Sequence, residues 1–322
     1  MSQFPIDMVY TWVDGNDPKH QELLATVSGK HKDYCRFADN HELYYSLYSV
    51  YKFAPWVRKI FIVVADYQKP NLEGLPHPLL NKITFVKHSE IMPTSALPTF
   101  NSMAIESCLH NLPNLSECFI YFNDDTFLGN CVTPEDFFDQ DQSGYFLKGR
   151  FPVPLFQPFR WIQPWLNVLH HTIETYSYVR SVSTQKLPIF WQGIHQCRPC
   201  RKSVLQKIWN HPVAKNELNV TLHSQLRSHY NIHSIYLMYL LGQDSGEITA
   251  RTLPAHEHFF LNLHRFDIIF PWQIYFFYPL RPKLFCINNN IKKPSKLIEK
   301  TLQTALRIYF DGLKPPSSSE KY

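Results

Sequence analysis

The sequence predicts an α/β fold built on a mainly parallel sheet, with a helical or irregular insertion. Three observations support this fold class. Short segments are apolar throughout, as in strands whose two faces are both covered by helices. Segments with helical spacing lie between them, in the order strand, helix, strand, strand, helix, strand. A hydrophobic content of 44%, with 15% aromatic residues, is sufficient for a large core.

The N-terminal part of the chain supplies these elements in turn. IDMVYTWV at residues 6–13 is a predicted buried strand, and the DGNDP that follows is typical of a loop. Residues 40–53 carry apolar side chains at helical spacing, with Asn40 as the predicted N-cap and Pro55 just beyond the end. RKIFIVVAD, which begins at residue 58, is the second predicted strand.

Three further elements precede a change in the character of the sequence. ITFVKH is the third predicted strand, FNSMAIESCLHNL at residues 100–112 is a helix, and CFIYFND at residues 118–124 is the fourth strand. From about residue 135 to residue 190 the chain is rich in aromatic residues and proline, as in FPVPLFQPFRWIQPWLNV. We expect an irregular insertion here that forms one wall of a cleft.

The C-terminal part returns to regular patterns. The predicted elements are two helices, two strands and an amphipathic helix, at residues 198–212, 223–242, 259–272, 283–289 and 293–312. We therefore expect one domain over residues 1–313, in which residues 135–245 form the insertion and the helical part beside the cleft. Residues 314–322, with the run PPSSS, are expected to form a frayed tail.

Composition limits the classes of partner. The net charge of +5 and the pI of about 8.7 suit an anionic substrate or an anionic membrane surface. No dense block of Lys and Arg is present, so the sequence does not predict nucleic-acid binding. The N-terminus lacks the pattern of a signal peptide, and no apolar window reaches the roughly 18 residues of a membrane helix. We expect a cytoplasmic protein.

Seven cysteines are present, which is an odd number, and most lie in apolar stretches. This pattern favours reduced core thiols over a disulfide framework. Cys197 and Cys200 form one C-x-x-C pair, which is half of a zinc site at most.

Two adjacent acids follow the fourth strand. Asp124 and Asp125 end the apolar run FIYF, and Asp14 lies just beyond the first strand. The carboxyl ends of parallel strands meet at one edge, and hard oxygen ligands there favour Mg²⁺ or Mn²⁺ bridged to a substrate phosphate. A polar turn is the simpler interpretation. Asp7, inside the first strand, needs a partner, and a structural carboxylate that caps a backbone loop is the alternative for it.

Other polar residues are weak signals when taken singly. Arg36 and Asn40 precede a helix and fit an ordinary cap with a surface ion pair. Asn101 and Ser102 also precede a helix, where free N–H groups suit a phosphate, although many helices begin in this way. His195 is notable only for its aromatic and then basic surroundings.

Four segments in order carry a more specific signal. They are IDMVYTWVDGNDP, CRFADNHELYYSLYSVYKFAPWVRKIFIV, LPTFNSMAIES with LPNLSECFIYFNDDTFLG, and LFCINNN. Together they resemble the Stealth family of sugar-phosphate transferases. That family includes bacterial capsule-polymer enzymes and the animal enzyme that begins the mannose-6-phosphate tag on lysosomal hydrolases. The resemblance extends from residue 6 to about residue 290.

The resemblance implies a nucleotide-sugar-binding, GT-A-like architecture and a defined reaction. A hexose 1-phosphate passes from a nucleotide sugar, expected to be UDP-linked, to a hydroxyl of a glycan acceptor in capsule or exopolysaccharide synthesis. The products are a phosphodiester and a nucleoside monophosphate. The implied partners are the donor and the glycan, at the inner face of the membrane. The basic C-terminal helix is expected to pack on the domain, with contact to membrane or capsule-assembly proteins as the alternative.

The resemblance also assigns roles to individual residues. Asp124 and Asp125 would hold Mg²⁺ or Mn²⁺ together with Asn289, which lies in an Asn288–Asn290 block where the family typically has an acid. His195 would be the general base and Arg227 the partner of the transferring phosphate. The implied catalytic residues are Asp7, Asp125, His195 and Arg227. The implied donor-binding residues are Trp12, Asp14, Arg36, Asn40, Asn101 and Ser102.

Two other classes of function remain open at this point. A conventional metal-dependent glycosyltransferase would hold the same donor but release the nucleoside diphosphate. A non-catalytic carbohydrate-binding protein could use exposed aromatic residues such as Trp161, Trp165 and Trp191.

Overall fold

The structure is a computed structural model. It describes residues 4–28, 41–152, 191–193, 195–212, 214–228, 231–254, 256–263, 279–289 and 296–316. Several predictions fall outside these residues: donor binding by Arg36 and Asn40, the role of Asn290, most of the 135–190 segment including Trp161 and Trp165, and the end of the tail.

The strands, in chain order, are β1 Ile6–Thr11, β2 Ile60–Val64, β3 Ile83–Lys87, β4 Cys118–Asn123, β5 Thr126–Leu128, β6 Gly144–Pro152, β7 Trp191–Gly193, β8 Arg198–Arg201, β9 Ile248–Thr252, β10 His258–Leu263 and β11 Leu284–Asn289. The α-helices are α1 Pro18–Ser28, α2 Glu42–Phe53, α3 His77–Leu80, α4 His88–Ile91, α5 Ser102–Ser107, α6 Lys202–Asn210, α7 Ala214–His223, α8 Ser234–Asp244 and α9 Lys296–Tyr309. Short 3₁₀ turns lie at Thr94–Ala96, Leu109–Asn111 and Pro134–Asp136.

The central sheet has the order β3-β2-β1-β4-β8 among the described strands. β1 pairs in parallel with β2 and with β4, β2 pairs in parallel with β3, and β8 runs antiparallel to β4. All five residues of β2 are buried, as expected for a strand covered on both faces. The predicted α/β class with a mainly parallel sheet is confirmed.

Helices cover both faces of this sheet. On one face α2 and α9 pack with the side chains of Met8, Ile62 and Ile120. On the other face α5, α6 and α8 pack against Val9, Phe61 and Phe119. Because alternate residues of each strand point to opposite faces, a strand that is apolar throughout supplies two cores.

Two smaller sheets adjoin the central one within the described residues. One has the order β10-β11-β5 and the other β7-β6-β9. β5 follows β4 after a turn of two residues, so the chain passes directly from the central sheet into the sheet that contains β10 and β11. Within the described residues, no helix combines the length and the apolar character needed to cross a membrane.

Three predicted elements differ from those observed. Residues 198–201, expected to be helical, form β8, and helix α6 begins only at Lys202. Pro199 fits a strand because β8 is the last of the described strands of its sheet, and a missing N–H is tolerated at an edge. In the predicted helix 223–242, α7 ends at His223 and α8 begins at Ser234. The N-cap of α2 is His41 rather than Asn40.

Candidate active site

The two acids Asp124 and Asp125 form the turn between β4 and β5, which we call the acidic turn. Helix α2 fixes β5, the strand that follows the acidic turn. The Ser46 hydroxyl donates a hydrogen bond to the backbone oxygen of Thr126 (2.5 Å), and the Leu128 N–H donates to Ser49 Oγ (3.0 Å). The acidic turn is therefore held at the carboxyl end of the parallel sheet, where open α/β folds place their ligands.

The Asp125 carboxylate faces two side chains from distant parts of the sequence. Its Oδ2 atom lies 3.6 Å from His195 Nε2 and 3.5 Å from Cys286 Sγ. Its Oδ1 atom is buried and has no hydrogen-bond partner among the described residues. The three side chains place one ligand atom each within 4.8 Å of one another. The structure thus joins the predicted residues Asp125 and His195 and adds Cys286.

Strand β11 runs alongside the acidic turn. The Ile287 N–H donates to the Asp125 backbone oxygen (2.9 Å), which extends the antiparallel pairing of Cys286 with Thr126. β11 continues beyond this contact through Asn288 and Asn289. Two segments that are more than 150 residues apart in the sequence therefore meet at the acidic turn, and the metal assignment of Asn289 stays a prediction.

The chemistry of this donor set suits a hard divalent cation bound through oxygen. Burial, reinforced by the neighbouring Asp125 carboxylate, raises the pKa of the Cys286 thiol well above its usual range. The sulfur therefore keeps its proton and donates to the carboxylate instead of acting as a thiolate ligand. The orphaned Oδ1 of Asp125 is the atom of this cluster that is best suited to a divalent cation. Cys197 and Cys200 are buried free thiols outside this cluster, and the described residues bring no zinc-type set of ligands to them.

A second group of polar side chains lies on the α5 side of the sheet end. The Tyr121 hydroxyl is 2.8 Å from Asn123 Oδ1, 2.8 Å from Thr11 Oγ1 and 3.2 Å from Glu106 Oε1. His233 Nδ1 lies 3.4 Å from the other oxygen of Glu106. Because Asn123 immediately precedes the acidic turn, this network connects the turn to α5 and α8.

Positive charge surrounds the buried Glu106. Burial raises the pKa of its carboxyl group, and the charges of Arg198, Arg227 and His195 oppose that rise. Arg227 itself is exposed and donates from its guanidinium to Ser102 Oγ (2.5 Å), so the structure joins two of the predicted residues. Sequence reasoning missed Glu106 and Arg198. Their spacing on α5 and β8 carries no motif, and only the pairing of distant segments shows their proximity.

Asp7 lies away from the acidic turn. It pairs with Phe119, whereas the ends of the two strands meet at Thr11 and Asn123. Its buried carboxylate accepts hydrogen bonds from the Arg58 guanidinium (2.8 and 2.6 Å) and from the backbone N–H groups of Lys59 (3.2 Å) and Ser116 (2.7 Å). These contacts match the alternative of a structural carboxylate, and we do not include Asp7 in the proposed site.

The structure gives Trp12, Asp14 and Asn101 structural contacts. Trp12 packs in the core on the α2 face. Asp14 accepts a hydrogen bond from the Asn16 N–H (2.8 Å). Asn101 caps α5 by accepting from the Met103 N–H (3.1 Å). Donor binding by these residues stays a prediction.

Two family models and several named bacterial proteins match this chain. The family model described as Stealth protein CR1, conserved region 1, matches residues 4–32, and the one described as Stealth protein CR2, conserved region 2, matches residues 36–146. A capsular polysaccharide phosphotransferase of Actinobacillus suis is 32% identical over 308 residues, which cover 93% of this chain and 72% of the relative. The capsular polysaccharide phosphotransferase fcs1 of Haemophilus influenzae is 33% identical over 328 residues, which cover 95% of this chain and 84% of the relative.

Other comparisons are shorter or more distant. A capsular polysaccharide phosphotransferase of Neisseria meningitidis serogroup B is 35% identical, and the match covers 75% of this chain and 66% of the relative. Among solved structures, the galactosyltransferase LgtC, in complex with donor and acceptor sugar analogs, superposes with a TM-score of 0.47 at 9% identity. The match covers 97% of this chain and 98% of LgtC. That likeness is too distant to carry an argument about function.

These relatives are named phosphotransferases, and this chain has an α/β fold with an acidic turn at the end of its parallel sheet. The protein is therefore a transferase. The chain belongs to the Stealth family, whose relatives here are capsular polysaccharide phosphotransferases. The predicted family and the predicted enzyme class are confirmed.

Proposed function

We propose that this protein transfers a hexose 1-phosphate from a nucleotide sugar to a hydroxyl group of a glycan acceptor. The observation that carries the proposal is the approach of His195 Nε2 to Asp125 Oδ2 (3.6 Å) at the carboxyl end of the parallel sheet. There a general base faces a carboxylate, with cationic side chains nearby. The names of the relatives support a role in capsule or exopolysaccharide synthesis.

The bond changes define what each residue must do. The acceptor oxygen bonds to the β-phosphorus of the donor while the bond from that phosphorus to the bridging oxygen breaks. The leaving group is a nucleoside monophosphate, and the product is a phosphodiester. The proton of the acceptor hydroxyl goes to a base. Charge spreads over the phosphoryl oxygens in the transition state, so positioning and cationic stabilisation supply most of the catalysis.

We assign the acceptor's proton to His195. Its side chain is partly exposed, and its Nε2 atom faces the Asp125 carboxylate. That carboxylate orients the ring and stabilises the imidazolium that forms on proton transfer.

The acidic turn supplies oxygen ligands for a cation. Asp124 and the free Oδ1 of Asp125 would hold Mg²⁺ or Mn²⁺, with the end of β11 alongside. When bound, such a cation neutralises charge on the donor's diphosphate. Chelation with EDTA should therefore abolish turnover and weaken nucleotide binding, and added Mg²⁺ or Mn²⁺ should restore both.

Arg227 is assigned to the transferring phosphate. Its guanidinium is exposed, lies on the side of the sheet where the buried Glu106 sits, and is steadied by Ser102. A planar guanidinium can donate two parallel hydrogen bonds to a phosphate, which suits the geometry of this group.

The released nucleotide tests the proposal. Purified protein should be incubated with a panel of nucleotide sugars, a capsule oligosaccharide and Mg²⁺, and the products should be separated chromatographically. We expect nucleoside monophosphate together with a new phosphodiester resonance in the phosphorus NMR spectrum. Nucleoside diphosphate would instead establish a conventional glycosyltransferase. Sugar binding without turnover of any donor would establish the carbohydrate-binding alternative.

A further inference from the structure

Arg198 is a buried cation that lies next to the proposed site. It is on β8, opposite Tyr121 of β4, and only 7% of the residue is exposed. Its guanidinium carbon lies 5.9 Å from the ring centre of Tyr121 and 5.6 Å from that of Tyr236. Within the described part of the chain, no carboxylate lies within 4 Å of this guanidinium, and its N–H groups donate to no side chain or carbonyl.

Among the described residues this charge has no direct ion pair, and the Glu106 carboxylate acts on it only from beyond contact distance. A buried cation normally requires a paired anion and hydrogen bonds, because removal from water is costly. The carboxylate on the same side of the sheet, Glu106, instead contacts Tyr121 and His233. Two aromatic faces attract a guanidinium but accept none of its N–H hydrogen bonds in the plane. A side chain in this state has unused capacity for an anion.

Arg198 lies close to both groups of side chains in the site, the acidic turn and the polar group on the α5 side of the sheet. Its guanidinium lies over the ring of Tyr121, whose hydroxyl is 2.8 Å from Oδ1 of Asn123, the residue that precedes the acidic turn. The same hydroxyl donates a hydrogen bond to Glu106 Oε1 (3.2 Å) on α5. Through Tyr121, Arg198 is therefore connected to the acidic turn, which the proposed function assigns to the cation. It is also connected to α5, whose first residue, Ser102, contacts Arg227.

We infer that Arg198 is a further substrate-binding residue, which donates to phosphate oxygens of the donor's diphosphate. This inference deepens the proposed function and rests on it for the identity of the ligand as a diphosphate. The guanidinium fork matches two oxygens of a phosphate, and the rings of Tyr121 and Tyr236 hold it ready without competing for its N–H groups.

Equilibrium binding provides the test, because it requires no turnover. Binding of UDP, GDP, CDP and ADP, each with Mg²⁺, should be measured by titration calorimetry for the wild-type protein. The tightest of these ligands is then used with Arg198→Met, which keeps much of the volume, and with Arg198→Lys, which keeps the charge. We expect Kd to rise about 10- to 100-fold for Arg198→Met and by a smaller factor for Arg198→Lys.

Arg201→Met is the matched control on the same strand. Arg201 pairs with Glu117 (3.0 Å), away from the acidic turn, so its loss should leave Kd unchanged. The midpoint of thermal unfolding without ligand separates binding from folding. A substrate-binding Arg198 predicts that Arg198→Met is at least as stable as wild type without nucleotide but gains less stability when nucleotide is added.

The outcomes are distinct. An unchanged Kd for Arg198→Met, or wild-type protein that binds none of the four nucleotides, would overturn the assignment of Arg198. An equal rise in Kd for Arg201→Met would show a general effect of lost positive charge and would also overturn it. Release of nucleoside diphosphate by the wild-type enzyme would refute the proposed reaction while leaving the binding result for Arg198 intact.

Discussion

The carboxylate of Asp125 has a different environment at each of its two oxygens. Oδ2 faces His195 and Cys286, and Oδ1 is free of hydrogen bonds among the described residues. Asp125→Asn keeps the shape of the side chain but removes its charge. We expect this variant and His195→Gln each to lower the rate of nucleoside monophosphate release by about 100-fold or more.

The double variant sharpens this prediction. If Asp125 acts through His195, Asp125→Asn combined with His195→Gln should be little slower than either single variant, because groups that act as a unit are not additive. Circular dichroism spectra should match those of wild type. Wild-type rates in both folded single variants would remove the pair from the mechanism.

Asp7 leads to a prediction about stability. Its carboxylate is buried and accepts from Arg58 and from the N–H groups of Lys59 and Ser116. Asp7→Ala leaves these donors unpaired and should lower the free energy of unfolding by about 2–3 kcal/mol. Urea unfolding measures this change, and the activity of the folded fraction should be retained. Normal stability with lost activity would return Asp7 to the catalytic set.

The residues of the site differ in how far the sequence could reveal them. The acid pair after an apolar strand is enough to predict a site at the carboxyl end of the sheet. His195 and Arg227 can be predicted only from the family resemblance. For Asp7 the sequence leaves a catalytic and a structural role open, because an acid inside a strand can lie toward either end of the sheet and only the strand register decides. Glu106 and Arg198 depend on contacts between β4, α5 and β8, which no local pattern encodes.

At the scale of elements, Gly129 shows how tightly β5 is enclosed. A Cβ atom there would lie 2.4 Å from the Pro282 carbonyl oxygen and 2.7 Å from Tyr309 Oη, and the Gly129 N–H donates to the Lys283 oxygen (2.9 Å). Gly129→Ala must therefore displace backbone and should cost about 2 kcal/mol. The denaturant midpoint measures this cost. Gly144→Ala is the control, because its nearest neighbour is the flexible end of Ile248 at 3.2 Å. Equal effects of the two substitutions would contradict this account of packing.

The elements themselves were predicted well where burial dominates. β1, β2, β4 and helix α2 follow from apolar runs and helical spacing, because both sheet faces are covered there. β8 was missed because its sequence, RPCR, has no strand character. It is a strand because it pairs with β4, and the Tyr239 hydroxyl donates to the Pro199 oxygen (2.8 Å). Edge strands of this kind are determined by tertiary pairing.

At the scale of the whole molecule, stability should depend on pH through buried histidines. Burial lowers the pKa of His88 and of His110 to about 4, against about 6.5 in an unfolded chain. Between these values the unfolded state binds more protons. The stability is therefore fully present above pH 6.5 and is lost as the pH falls toward 4.

A variant isolates this effect from that of the carboxylates. Between pH 6.5 and pH 5, His88 should contribute a loss of about 2 kcal/mol in the free energy of unfolding. Chemical denaturation at pH 7 and at pH 5 should therefore show a smaller pH difference in His88→Asn than in wild type. Identical differences in the two proteins would show that His88 is not held in its neutral form.

The acidic turn is also the link between two sheets, and it is two residues long. One inserted residue would slip β5 against β11 and exchange the inward and outward sides of that strand. It would also carry the Asp125 carboxylate away from His195. Insertions and deletions are commonly tolerated in surface loops. In this turn, however, the number of residues determines where the Asp125 carboxylate lies. Evolution of this enzyme can change what surrounds the link more easily than it can change the number of residues within it.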